Sequence, residues 1–185
     1  MNYKLNKIVT IKSGVFAKGD AVPDVYCIQA TDYNAERAWI GNLTPLLSRS
    51  QKLEKHILSV GEVLFAAKGR AFFAVVYDGV FQPAVASTTF LVLQVQSKIV
   101  IPEYVAWYIN HPQTQDLLWS LAKGSGIPSI SKTILEQIEI PVPEVSKQVA
   151  ILELHKLQIK EKLIQQKLVA LRQDYINELT YKSIQ

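Results

Sequence analysis

The sequence Gly124-Ser-Gly-Ile-Pro-Ser-Ile-Ser-Lys132 leads, after a short apolar segment, to Ile140-Pro-Val-Pro143, to Gln148 and to a C-terminal segment without glycine or proline. The first stretch is too polar and too rich in glycine to belong to a core, so it predicts a surface loop. The prolines fix φ and predict a stiff, extended connector. The order of these segments predicts a compact domain joined to one long helix.

The C-terminal segment, residues 146–185, has a heptad pattern with seam residues at alternating spacings of four and three. It predicts a helix from Lys147 to about Tyr181, about 50 Å long at about 1.5 Å per residue. On a solitary helix this apolar stripe would be exposed to water, so the pattern predicts pairing with another helix. Glu161 lies within the seam, where it would set the register or occupy a solvated position. The predicted pairing residues are Leu154, Leu157, Glu161, Ile164, Leu168, Leu171 and Tyr175.

Residues 1–145 predict one domain of the α+β class, built on a mixed β-sheet. Its strands are predicted where β-branched and aromatic residues cluster between Asn, Gly and Pro. At the N terminus, Leu5, Ile8 and Val9 have helical spacing and predict a short opening helix. The predicted strands lie at residues 25–29, 62–66, 72–77 and 88–95.

Helices are predicted to follow the strands and to cover the sheet. One begins at Pro102, and a second follows His111-Pro112. Ser131 is a candidate N-cap for a helix of one or two turns. After it, the alternation of Ile138, Ile140 and Val142 predicts an edge strand, because Pro141 and Pro143 exclude a central position. The second helix has a predicted apolar face of Leu117, Leu118 and Leu121.

Composition limits the compartment and the chemistry. The 185 residues are 49% hydrophobic, which is enough for a core. The apolar runs are short and Met1 to Lys7 has no apolar segment of the secretory type, so we expect a cytoplasmic protein that does not enter membranes. The single cysteine, Cys27, lies in an apolar run and predicts a buried thiol without a disulfide. The histidines lack ligand spacing, so no metal is expected.

The charge is modestly positive, with a formal net value of +4. Residues 1–145 hold 13 Lys or Arg against 12 Asp or Glu, and residues 146–185 hold 7 against 4. This balance permits a polyanionic partner without requiring one.

Catalytic motifs are missing from the sequence. None of the sixteen acidic residues has a lysine two positions later, as a common metal-dependent nuclease motif requires. The only G-x-G, at residues 124–126, follows a helical pattern and runs into Pro128, which disfavours a dinucleotide or methyl donor. The sequence therefore predicts a non-catalytic protein without a cofactor, and a methyltransferase or nuclease fragment is disfavoured.

The chain resembles the target recognition domain and adjoining helix of type I restriction-modification DNA specificity subunits. The resemblance begins at Leu5-Asn-Lys-Ile-Val and Ser13-Gly14 and continues through Ser59-Val-Gly-Glu-Val-Leu-Phe-Ala-Ala-Lys-Gly69. It is sharpest from Gly124 to Gln148 and in the following helix. Members of this family usually carry two recognition domains and two helices, whereas this chain has one of each and is similar to half a subunit.

The resemblance implies sequence-specific binding of double-stranded DNA. Such a protein directs DNA methyltransferase (modification) subunits and a restriction subunit to a bipartite target. If two copies pair their helices antiparallel as a homodimer, the recognition domains lie at opposite ends and face an inverted repeat. A separation of about 50 Å corresponds to about fifteen base pairs at about 3.4 Å each. The alternative is a protein-interaction adaptor that does not bind DNA and oligomerises through its helix.

The candidate DNA-binding residues are cations, glycines with accessible backbone and side chains able to hydrogen-bond or stack on bases. Each group has a structural alternative: a plain turn at residues 124–126, a solvated loop at residues 68–70, and a loop that packs Trp39 on the domain. The candidates are Lys12, Ser13 and Lys18; Tyr33, Asn34 and Arg37; Lys68, Gly69 and Arg70; and Lys123, Gly124, Ser125, Gly126 and Ser129.

Overall fold

A computed structural model describes residues 1–16, 18–40, 42–124 and 126–184 of the chain. The chain divides into two compact units, Met1–Gln148 and Val149–Gln185. Strands and short helices form the first unit, and the second is helical. The predicted α+β class with a long C-terminal helix is confirmed.

The strands of the first unit form separate small sheets around one four-stranded sheet. The central sheet is antiparallel with the order β2-β7-β4-β5. A second pair, β1 and β8, is antiparallel, and the pair of β3 and β6 is parallel. The strands are β1 (Asn2–Lys4), β2 (Val9–Ser13), β3 (Tyr26–Ile28), β4 (Val63–Ala66), β5 (Phe73–Val76), β6 (Ala84–Ala86), β7 (Phe90–Val95) and β8 (Glu139–Pro141).

The strand β4 has an inner position in the four-stranded sheet and is buried along its whole length. All four of its residues, Val63–Ala66, are buried, as expected for a strand covered on both faces. The helices α2 and α3 follow the last strand of this sheet, and α2 packs against β4 and β5. The helices are α1 (Gln51–Glu54), α2 (Pro102–Asn110), α3 (Pro112–Leu121), α4 (Lys132–Gln137) and α5 (Val145–Lys182).

The predicted helix at Leu5, Ile8 and Val9 is wrong. Leu5–Lys7 forms a single 3-10 turn and Val9 begins β2. Within β2 the residues alternate, with Val9 and Ile11 buried and the residue between them exposed. A spacing of three and four over only five residues therefore fits a turn followed by a strand as well as it fits a helix.

The other helix boundaries follow the predictions closely. Pro102 and Pro112 are the first residues of α2 and α3, where a missing N–H costs nothing. Ser131 caps α4, because its Oγ accepts a hydrogen bond from the backbone N–H of Ile134 at 3.3 Å. The predicted edge strand is β8, and in it Pro141 lies opposite Asn2.

Gln148 lies in the first turn of α5 and is completely buried. Its Oε1 accepts a hydrogen bond from the backbone N–H of Ile101 at 3.1 Å. Its Nε2 donates to the carbonyl oxygens of Ile99 at 2.7 Å and Pro143 at 2.8 Å. The side chain therefore joins the first turn of α5 to the backbone at residues 99, 101 and 143.

We expect Gln148→Ala to lower the free energy of unfolding by about 3 kcal/mol, since it leaves three partly buried backbone groups without their side-chain partner. Urea denaturation at fixed protein concentration measures this change. Gln166→Ala on the exposed part of α5 is the control, with an expected effect within about 0.5 kcal/mol. Equal effects of the two changes would contradict the proposed anchoring by Gln148.

The long helix α5 contains 38 residues and is about 57 Å long. It extends slightly beyond the predicted range at both ends. The six apolar side chains of its seam are 47% to 62% exposed. No helix in the described ranges is long and apolar enough to span a membrane.

Candidate nucleic-acid interface

Two of the predicted loops form walls of one open groove of about 660 Å³. One wall comes from residues 30–37 and another from residues 68–73, at the end of β4 and the start of β5. We name this surface the basic groove. Its polar side chains include Thr31, Asn34, Arg37, Lys68, Arg70 and Gln115.

The basic groove is positively charged. Arg37, Lys68 and Arg70 line it, and none of its described lining residues is acidic. Arg37 has a φ of +63°, the left-handed region, and burial lowers the pKa of its guanidinium. An arginine remains charged near neutral pH even so. Three cations in a lining whose described residues are not acidic favour a polyanion in the groove, while Asp32 and Glu36 of the Arg37 loop lie outside that lining.

The loop of residues 31–37 is held to the domain by its aromatic side chains. The ring centroid of Tyr33 lies 5.2 Å from that of Trp39 and 5.8 Å from that of Phe73. Burial raises the pKa of the Tyr33 phenol. The side chain of Asn34 accepts a hydrogen bond from the backbone N–H of Ala38 at 2.8 Å. Tyr33 and Trp39 therefore support the loop by packing, while Arg37 is presented to the groove.

The loop that begins at Lys123 is fixed beside the loop of residues 68–70. Lys123 and Ser129 exchange backbone hydrogen bonds of 3.0 and 2.9 Å. Ser129 also forms a bridge with Lys68, and the N–H of Gly69 donates to the carbonyl of Pro128 at 3.2 Å. The structure thus brings Lys123 and Ser129 next to the Lys68 loop. Ser125 lies outside the described residues.

Gly124 is required by the geometry of its own loop. Its φ is +116°, and a Cβ built there would lie 2.5 Å from the carbonyl oxygen of Ile127. At Gly126 no described atom lies within 4 Å of the same position. The space beside Gly126 is therefore open to an approaching ligand. Gly124, in contrast, is needed for the backbone conformation of the turn.

We expect Gly124→Ala to destabilise the domain by about 2 kcal/mol, because the strained φ and the contact with Ile127 must both be relieved. Thermal denaturation detects this as a lower melting temperature. Gly126→Ala is the matched control and is expected to melt like the unaltered protein. The same melting temperature for both variants would show that the loop does not depend on Gly124.

Lys12, Ser13 and Lys18 are not part of the basic groove. Lys12 and Ser13 end β2 and line a small cleft with Lys55 and His56. Burial and the nearby Lys55 and Lys12 lower the pKa of His56. Lys18 lies in the exposed loop after β2. The structure therefore separates these three predicted residues from the other candidates.

The helix α3 contributes residues that the sequence analysis missed. Gln115 and Trp119 line the basic groove, and the ring centroid of Trp119 lies 4.6 Å from that of Phe72. The predicted apolar face of α3 is partly wrong, since Leu118 is buried but Leu117 and Leu121 are 44% and 39% exposed. The spacing of four between Gln115 and Trp119 was the signal that could have identified this face.

A second cavity of about 450 Å³ has a different character. Tyr33 and Arg37 line both cavities, but this one also contains the carboxylates of Asp78 and Glu103. Its aromatic walls include Trp39 and Phe81, whose ring centroids are 4.9 Å apart. Two carboxylates beside one guanidinium do not favour a polyanion.

The described part of the chain contains neither a cluster of side chains placed to bind a metal ion nor an exposed thiol. No group of three His, Cys, Asp or Glu side chains there is placed to hold a metal ion. Cys27 is buried, and burial raises the pKa of its thiol to about 11. The thiol is therefore protonated near neutral pH and a poor nucleophile.

Comparison with known proteins identifies one family. The family model described as type I restriction modification DNA specificity domain matches residues 24–173. No curated protein has a significantly similar sequence.

Two solved structures have a similar fold. The S subunit of the type I restriction-modification system from M. genitalium is 12% identical, with a TM-score of 0.58. The HsdS subunit from Thermoanaerobacter tengcongensis is 15% identical, also with a TM-score of 0.58. The alignments cover 85% and 87% of this chain and 38% of each solved chain. At these identities the likeness shows the fold, and the chain spans less than half the length of the proteins it matches.

Proposed function

Because the chain belongs to the family of type I restriction modification DNA specificity domains, we propose that it binds double-stranded DNA sequence-specifically through the basic groove. The observation that carries this proposal is the meeting of Arg37, Lys68 and Arg70 in one concave surface whose described lining has no acidic residue. The negative charge of the DNA backbone attracts such a surface.

The candidate residues take different roles under this proposal. Lys68 and Arg70 contact phosphate or guanine, and Arg37 adds charge from the opposite wall. Lys123, Gly126 and Ser129 offer an ammonium group, an open backbone and a hydroxyl to the DNA backbone close to Lys68. Tyr33, Asn34, Gly69 and Gly124 hold these loops in shape. Lys12, Ser13 and Lys18 are contacts outside the groove, if the duplex extends to them.

We further propose that the protein has no catalytic activity of its own and acts in the cytoplasm. It directs DNA methyltransferase (modification) subunits and the restriction subunit to their target. In this assignment residues 1–145 recognise DNA and residues 146–185 form the pairing helix. The exposed seam of α5 supports the second role, because a stripe of apolar side chains about 32 Å long, from Leu154 to Tyr175, is unfavourable in water.

Pairing of two copies about a two-fold axis implies the form of the target. The two recognition domains present the same surface in opposite directions, so the half-sites must be inverted repeats. With antiparallel helices of this length, a segment of unrecognised base pairs separates the half-sites.

Selection from random duplexes, with the protein and its modification subunit present, tests the proposed function. We expect enrichment of two inverted half-sites with a fixed spacer. The sequencing readout also gives the length of the half-site. If the protein retains duplexes without enriching any motif, sequence-specific recognition is overturned. The result would favour the alternative of a protein-interaction adaptor. A parallel selection without protein controls for amplification bias.

A further inference from the structure

We propose that Gln115 and Trp119, on one face of α3, contact base pairs in the basic groove and that Gln115 is a specificity-determining residue. This inference rests on the proposed function, since it assumes that duplex DNA occupies the groove. It assigns base recognition to a helix that supplies no cation to the groove.

The rotation of α3 about its axis is fixed by its buried residues. Thr114 and Leu118 are 4% and 0% exposed and hold one face against the domain. Gln115 and Trp119 each follow one of these residues, so they share the adjoining face, four positions apart. That face lines the basic groove, and α3 is the one α-helix among the described lining residues. A regular element with a buried face presents side chains more rigidly than a loop does.

The amide of Gln115 is oriented before any ligand arrives. Its Nε2 donates a hydrogen bond to the carbonyl oxygen of Ile109 at 2.7 Å. That bond uses one of the two N–H groups, while the second N–H and Oε1 have no partner among the described residues. A donor and an acceptor side by side match N7 and the N6 amino group of adenine.

Trp119 is held in place although it is 43% exposed. Its ring lies against Phe72, which is only 2% exposed and whose ring centroid is 6.3 Å from that of Phe65 in β4. The rest of the indole is an apolar surface inside the groove that Arg37, Lys68 and Arg70 also line. Such a surface suits the methyl group of thymine or the face of a base.

The residues of the groove that would contact DNA fall into a charged group and an uncharged group. Where Lys68, Arg70 and Arg37 contact phosphate, their attraction to DNA does not depend on sequence. Gln115 and Trp119 carry no charge, so they release no counterions on binding, and under this inference they contact bases. Changes on α3 should therefore alter discrimination between duplexes and leave the salt dependence of binding unchanged.

Affinities for the selected duplex and for a scrambled duplex of equal length test this inference at several salt concentrations. We expect Gln115→Ala to weaken binding of the selected duplex about tenfold or more. Binding of the scrambled duplex and the salt slope should not change. Gln113→Ala is the matched control, because Gln113 is exposed on the same helix and outside the groove lining.

Two further variants separate recognition from folding. Gln115→Glu replaces the donor with an acceptor, so a repeated selection should change the preferred base at one position of the half-site. Trp119→Phe keeps an aromatic ring against Phe72 and should lower affinity for the selected duplex severalfold with an unchanged melting temperature.

The inference is overturned if Gln115→Ala weakens both duplexes equally, or neither, or if Gln115→Glu selects the original motif. In those cases the unaltered protein still enriches a motif and the proposed function stands. If the unaltered protein enriches no motif, the proposed function fails and this inference fails with it.

Discussion

Replacement of Ile164 and Leu168 together by lysine is expected to convert the proposed dimer to a monomer. The two residues lie one turn apart in the seam of α5 and are 58% and 47% exposed in the single chain. Each dimer would lose four buried aliphatic side chains, worth about 1.5 kcal/mol or more each. The total of about 6 kcal/mol corresponds to weakening of the dimer by about four orders of magnitude. Four ammonium groups at the interface add desolvation to this cost.

Light scattering coupled to size-exclusion chromatography measures the outcome. The unaltered protein should have twice the chain mass of 20.8 kDa, and the variant should have the mass of a single chain. Gln166→Lys with Gln173→Lys is the matched control, because it adds the same charge to the same helix away from the seam. A variant that still forms dimers would show that the seam is assigned to the wrong residues.

The double substitution Lys68→Ala with Arg70→Ala has the second-largest expected effect. It is expected to lower the affinity for DNA. Each cation that contacts a phosphate contributes about one unit to the slope of log K against log salt. The double variant should therefore bind the selected duplex about tenfold to a hundredfold more weakly at low salt and with a slope smaller by about two. Where the lost contacts are to phosphate, the affinity for the scrambled duplex should fall by a similar factor.

Fluorescence anisotropy over a salt series provides the affinities for this comparison. Lys7→Ala with Lys98→Ala removes two exposed cations that do not line the basic groove and serves as the control. Its slope should match that of the unaltered protein. Unchanged affinity of the Lys68 and Arg70 variant at every salt concentration would remove this loop from the interface.

Residue type alone does not determine which surface a candidate side chain lines. Charge next to a flexible glycine predicts Lys68 and Arg70 as DNA contacts, and both line the groove with Arg37. The ability of a phenol ring to stack on bases predicts Tyr33 as a DNA contact, but its ring packs against Trp39 and Phe73. An aromatic residue beside a strand satisfies both patterns, and only its neighbours distinguish them. Contact of any of these residues with DNA remains a prediction.

The sequence by itself determined the parts of this protein that depend on local periodicity. The heptads of α5, the proline starts of α2 and α3 and the Ser131 cap are set by residues within a few positions of one another. The exposed seam also follows from the sequence, because the helix is longer than the domain can cover.

Only the tertiary structure decided which loops share a surface. The walls of the basic groove meet where the ring of Tyr33 packs against that of Phe73. The Lys123 loop lies beside the Lys68 loop because Ile130 donates a backbone hydrogen bond to Ala67 at 2.8 Å and Lys68 pairs with Ser129, across about sixty positions of sequence. The same packing turns Gln115 and Trp119 of α3 toward the groove. Spacing along the chain carries no information on such pairings, since their free energy comes from burial and hydrogen bonds between distant segments.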